Sequence, residues 1–133
     1  MWQQCLGIVA AGGGALLHVG FAYKETLGWG LPFVRKVAPS WVKDLDPTLA
    51  EDRVSWAKQL AFNVGAYNLV LALGLGWTCW AFLKQPNIAG PLGIFFAFWL
   101  LAAAGAAFYT KVFPAFALQG SVGVALLIAV ICA

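Results

Sequence analysis

"AFNVGAYNLVLALGLGW", residues 61–77, has the length and apolar character of a membrane-spanning helix, yet Asn63, Tyr67 and Asn68 fall within six positions of it. Hydrocarbon offers no water to hydrogen-bond a carboxamide or a phenol, and an unpaired polar group there costs several kcal/mol. Those side chains must find partners on other helices, in a cavity or near the membrane surface. Reading outward from this stretch decides both the fold class and where chemistry is expected.

The whole chain shares the character of the stretch. Of its 133 residues 62% are hydrophobic and 10% charged, with a mean hydropathy of +0.84, whereas soluble domains carry about 25% charged residues. The composition excludes an ordinary soluble domain and leaves an all-α membrane protein. The net charge is +3, and the basic residues are interleaved with acids instead of massed in a stripe, so nucleic acid is not an expected partner. Cys5, Cys79 and Cys132 are far apart in sequence with no metal-type spacing; they read as small packing residues and no metal site is expected. The apolar N-terminus has no Lys or Arg before it, unlike the start of a secretory signal, and is read as a retained helix.

A bilayer core takes about 20 helical residues to cross, and four such stretches can be drawn, at about residues 5–23, 59–82, 91–109 and 114–132. They predict one transmembrane helical domain, residues 1–133, folded as an antiparallel bundle. Pro86 is expected to end the second span, and Pro91 to open the third. Pro114 opens the fourth, just after Lys111. Asp46 followed by Pro47 is a helix-start signature, so the second span is expected to begin near Pro47, outside the bilayer, and to run inward as one long helix.

The 24–58 segment holds six of the eight Lys and Arg residues and all five acids. Lys111 falls on the same side of the membrane and Lys84 on the other. The positive-inside rule then places 24–58 in the cytoplasm and both termini outside, in a bacterial-type inner membrane. Trp29, Trp41 and Trp56 suit an interfacial belt on the 24–58 side.

Depth can be counted from these borders. His18 precedes Lys24 by six residues, roughly 9 Å of helix. Asn63, Tyr67 and Asn68 follow Lys58 by five, nine and ten residues, roughly 7 to 15 Å. Gln119 and Ser121 stand five and seven residues past Pro114, roughly 7 to 10 Å. Tyr109 and Thr110 sit just inside Lys111; all four spans thus bring polar groups to one shallow layer, while the far half is nearly all Ala, Gly, Leu, Val, Ile, Phe and Trp. A polar layer at one end suits a pocket better than a pore. His18 and Glu25, seven apart, share a helix face about two turns apart. That separation is too long for one shared metal, whose donors lie about 2 Å from it, and suits a proton relay or two ends of one ligand. Pairing of His18 with Asn63 across the first two spans is one expected contact.

At these residues the sequence resembles the small four-helix membrane proteins grouped as domain-of-unknown-function family 1304. His18, Glu25 and Trp29 are similar to the pattern on the family's first helix. "NVGAYNLVLALGL" resembles its second-helix signature and "AGAAFYTKVFPAFALQGSVGVALL" its last two helices. Val64 stands where the family usually has Gln and Val122 where Pro is common, and the first loop is longer than usual. The resemblance implies fold and site positions but no reaction.

Two functional readings follow. In one, His18 donates or accepts a proton, Glu25 stands at the mouth of a cytoplasm-facing pocket, and Asn63, Tyr67, Asn68 and Gln119 bind a small, partly apolar ligand, whether or not a reaction follows. In the other, the chain is an accessory subunit of a larger membrane complex, or a homo-oligomer, joined through Gly-rich helix faces and the 24–58 segment. The polar layer then only glues helices. The lipid bilayer is a partner in both; no residue pattern names a cofactor.

Overall fold

The structure is a computed structural model that describes residues 1–132, so the last residue of the domain outlined above lies outside the described residues. It is all-helical. Six α-helices run in the order α1 (Trp2–Thr26), α2 (Leu31–Val37), α3 (Pro47–Trp56), α4 (Lys58–Lys84), α5 (Pro86–Tyr109) and α6 (Phe113–Ile131), with a 3₁₀ turn at Pro39–Trp41 and no strand among the described residues. Four of them, α1, α4, α5 and α6, are long and apolar enough to cross a membrane, at 25, 27, 24 and 19 residues. The other two lie in the hydrophilic segment, which is therefore a folded cap and not a plain loop.

α1 packs along α4 and α5 along α6, and α6 joins the two pairs through α1. Leu75, Leu100 and Leu126 are completely buried where the pairs meet, with Ala11, Ala81, Ala97 and Ala129. Small residues allow that approach. A Cβ on Gly123 would stand 3.0 Å from Leu101 and 3.1 Å from the Ala97 carbonyl oxygen, closer than a side chain tolerates. Other glycines do not serve this purpose: nothing lies within 4 Å of a Cβ built on Gly13, Gly20 or Gly76.

The helix starts differ in two places from the sequence expectation. Pro86, not Pro91, opens α5, and Pro91 lies inside the helix. Pro86 at the first position needs no N–H partner, whereas Pro91 withholds an N–H from the carbonyl of Asn87, one turn from the helix start. α3 and α4 are separate helices, parted at Ala57. No helix-breaking residue stands there; the two sides of the break pack against different things. α3 buries Ala50 and Val54 with Val34 and Val42 in a small core of the cap, while α4 buries Ala61, Gly65 and Asn68 on the bundle side. The start of α3 is as expected, with Asp46 Oδ1 accepting from the Thr48 and Leu49 amides at 2.9 and 3.2 Å.

The α5–α6 connection closes α5 with a Schellman motif. Val112 N–H donates to the Ala107 carbonyl and Lys111 N–H to that of Phe108, which puts Lys111 in the left-handed region at φ 61°.

Candidate functional site

Where α1 leaves the bundle, Gly65 of α4 lies against it. A Cβ at Gly65 would stand 2.6 Å from the Thr26 methyl and 3.1 Å from the Ala22 carbonyl oxygen, so only glycine lets the two helices come this close. The approach brings three polar side chains into one chain of hydrogen bonds. Asn68 Nδ2 donates to Glu25 Oε2 at 2.5 Å, and Asn68 Oδ1 lies 2.6 Å from His18 Nδ1. An ionised carboxylate only accepts, which fixes the amide with its oxygen toward the ring, so the His18 proton on this side is assigned to Nδ1.

His18 has no exposed surface, and its Nε2 is buried without a partner. In the neutral ring that nitrogen is an unpaired acceptor, a cost of about 1 to 3 kcal/mol. The ring packs edge-on to Phe21 with centroids 5.5 Å apart.

Beside this chain lies a cavity of about 770 Å³ bounded by α1, α4, α5, α6 and the cap. Its wall is largely apolar, and Glu25, Asn68, Gln119, Tyr67 and Lys24 are its few polar or charged side chains besides the Trp29 and Trp41 indoles. Gln119 is buried in α6 and its carboxamide makes no side-chain hydrogen bond among the described residues. The cap supplies the roof. Trp29 and Trp41 rings lie 6.4 Å apart, Trp29 and Phe33 rings 6.0 Å, and all three line the cavity. The Trp29 indole N–H donates to the Val54 carbonyl at 3.0 Å and Arg53 Nη1 to the Trp41 carbonyl at 2.7 Å, ties that hold the roof to α3. The cavity is not sealed: Leu16, Leu60, Tyr67 and Trp99 line it while keeping more than half of their surface exposed.

The structure thus brings His18, Glu25 and Asn68 together, and sets Gln119 and Tyr67 on the cavity wall. Tyr67 is 71% exposed. Asn63 is exposed, outside the wall, and is not the partner of His18; that partner is Asn68. One turn explains the difference, since positions 61, 65 and 68 form the buried stripe of α4 near the cap and 63 falls opposite. Gly65, Trp41 and Phe33 were not singled out as site residues from sequence. Gly65 has a sequence signal, a glycine between Asn63 and Asn68 in an otherwise apolar helix; the two aromatics have none, because the cap's fold alone turns them inward. Ser121 is exposed and its hydroxyl donates to the Leu118 carbonyl of its own helix at 2.9 Å. No group of three or more metal-type ligands occurs among the described residues.

The fold and site define a class: an all-helical chain with four membrane-length helices around a one-sided, aromatic-roofed cavity. The profile of the family described as "Protein of unknown function (DUF1304)" matches residues 13–131, and the chain belongs to that family. Neither the curated proteins nor the solved structures contain a match to it.

Proposed function

We propose that the chain is a single-domain integral membrane protein whose four long helices cross a bacterial-type inner membrane as an antiparallel bundle, with the 24–58 cap in the cytoplasm, and that the cavity under the cap binds a small, partly apolar ligand. The orientation rests on the concentration of Lys and Arg in 24–58. The binding reading rests on one observation, a 770 Å³ cavity whose few polar groups converge from three spans. Ligand sites have this composition, apolar walls with a few placed polar groups, and volumes of about 300 to 1,000 Å³.

In this reading Glu25, Asn68, Tyr67 and Gln119 contact the ligand. His18 acts from behind the wall: its Nδ1–H holds the Asn68 amide, and the amide directs the Glu25 carboxylate. Proton exchange with a ligand then falls to Glu25, with His18 setting its position. A Ser40→Cys label on the exposed cap turn, with the native cysteines replaced, is expected to react with an impermeant maleimide only after the cytoplasmic face is opened.

A second reading, an accessory subunit, draws on the outer face of α4, where Asn63 and Tyr67 stand exposed on an apolar helix, as residues waiting for a neighbouring helix do. Native mass spectrometry of the protein released directly from membranes separates the two. A retained small molecule, lost from Ala103→Phe in the cavity wall, is the expected result. Stoichiometric foreign chains with no small molecule overturn the binding reading in favour of the subunit.

A further inference from the structure

We propose that the occupant of this cavity is a lipophilic cation, an ammonium carrying an apolar chain; the inference rests on the binding reading above and names its ligand class. Three features of the site carry it. Glu25 reaches the cavity with an acid group whose sole side-chain hydrogen bond among the described residues is the one from Asn68 to Oε2. Oε1 has no partner there. Lys24, the one Lys or Arg that lines the cavity, is an exposed residue whose Nζ lies 5.8 Å from the centroid of the exposed Tyr23 ring. A carboxylate without a counter-ion in a poorly hydrated wall is a site for a cation.

The roof fits the same ligand. The Phe33 and Trp41 rings lie 6.0 and 6.4 Å from the Trp29 ring by centroid. Because the Trp29 N–H is already spent on Val54, that indole offers the cavity carbon and π surface and no hydrogen-bond donor. Aromatic rings lining the same cavity as a carboxylate suit ammonium groups, quaternary ones included, which the ring quadrupole attracts. An anionic headgroup meets Glu25, with Lys24 the single cationic side chain on the wall to offset it.

The rest of the wall fits the chain of such a molecule. Leu16, Leu60, Val64, Leu71, Ala103 and Trp99 make it apolar, and the partial exposure of Leu16, Leu60 and Trp99 leaves it open at the depth of the spans. An amphiphile dissolved in the bilayer can therefore slide its chain in laterally while its headgroup stays at the level of Glu25, near the cap.

The test uses the full chain in nanodiscs and two probes of equal chain length, dodecyltrimethylammonium and uncharged 1-dodecanol. Saturable binding of the ammonium, at least roughly tenfold tighter than that of dodecanol, is expected for the wild type. Glu25→Gln should remove that preference without weakening dodecanol binding, and Glu25→Asp should keep most of it. If the Glu25 variants unfold, Phe33→Leu, which preserves apolar volume and removes the π face, should weaken the ammonium more than the alcohol. Discs of uncharged galactolipid and of phosphatidylcholine locate the natural source: equal affinity in both assigns a free amphiphile, and weaker binding in phosphatidylcholine assigns a lipid's own ammonium headgroup. Equal affinities for ammonium and alcohol, or full retention of the preference in both Glu25→Gln and Phe33→Leu, overturn the cation while leaving a binding cavity. No saturable binding of either probe overturns the cavity reading as well.

Discussion

The ends of the four long helices under the cap and the ends away from it are held together differently. Away from the cap the helices close on one another mainly through carbon; the cross-helix hydrogen bonds there run from side chains to backbone, the Gln4 amide donating to the Phe82 carbonyl at 2.6 Å, the Gln3 amide to that of Cys132 at 2.9 Å and the Cys79 thiol to that of Ile8 at 3.6 Å. Gly93 faces Val130 and the Phe82 ring, Gly7 faces that ring from the other side, and Leu75, Leu100 and Leu126 have no exposed surface. The buried hydroxyl of that half, Thr78, donates back to Gly74 of its own helix at 2.9 Å. Under the cap the hydrogen bonds between helices join side chain to side chain, from His18 to Asn68 to Glu25, and the helices part around a cavity. Sequence-distant small residues build a tight seam. Polar residues with partners hold helices at a defined distance and leave usable space.

Breaking the closed half should have the largest effect. Leu75→Ala opens a void at a site with no exposed surface and should cost about 2 to 5 kcal/mol, measured by denaturation in mixed micelles. A similar cost for Leu60→Ala, which lines the cavity and is 68% exposed, would erase the distinction between the halves.

A single substitution made twice on α5 sharpens the comparison. Ala97 is fully buried in the seam and Ala103 lines the cavity. Ala97→Phe overpacks and should lose about 1 to 3 kcal/mol. Ala103→Phe has space to enter and should change stability by less than about 0.5 kcal/mol, while abolishing retention of the bound small molecule.

His18→Ala strips Asn68 Oδ1 of its donor in a buried site, which should cost about 1 to 3 kcal/mol, less if membrane hydrogen bonds here resemble the average of about 0.6. His18→Gln keeps an N–H donor and should recover part of that stability. Recovery of ligand retention along with it identifies His18 as a positioning residue; recovery of stability without retention shows that the imidazole itself is required.

The cap and the inter-helix turn should give the smallest changes. Asp46→Ala removes the α3 N-cap and should cost about 1 kcal/mol, loosening the roof as read by protease sensitivity between α2 and α3. Lys111→Gly relieves a left-handed residue at φ 61° and should stabilise by up to about 1 kcal/mol. No change in stability would mean that the Schellman turn holds Lys111 without appreciable strain.

The length and hydropathy of the four spans, the helix start at Asp46–Pro47 and the crowding of charge into 24–58 were legible in the sequence because they are local: each depends on residues within one or two turns. So was the position of each polar group along its helix, since that follows from a fixed rise per residue. Rotation about the helix axis is not local. Asn63 and Asn68 differ by five positions, about 500° of turn, and only the packing of α4 on α1 at Gly65 decided that Asn68 faces His18 and Glu25 while Asn63 faces out. The break at Ala57 has the same origin, because nothing in the residue itself interrupts a helix and two separate hydrophobic surfaces pull its flanks apart. The cap's inward-turned Trp29, Phe33 and Trp41 depend on the small core of Val34, Val42, Ala50 and Val54, contacts between residues up to 20 positions apart in the chain. The sequence by itself determined which long segments are helical, how apolar they are and where along each helix their polar groups lie; tertiary packing decided which of those groups meet, because partner choice depends on how each helix is rotated against its neighbours.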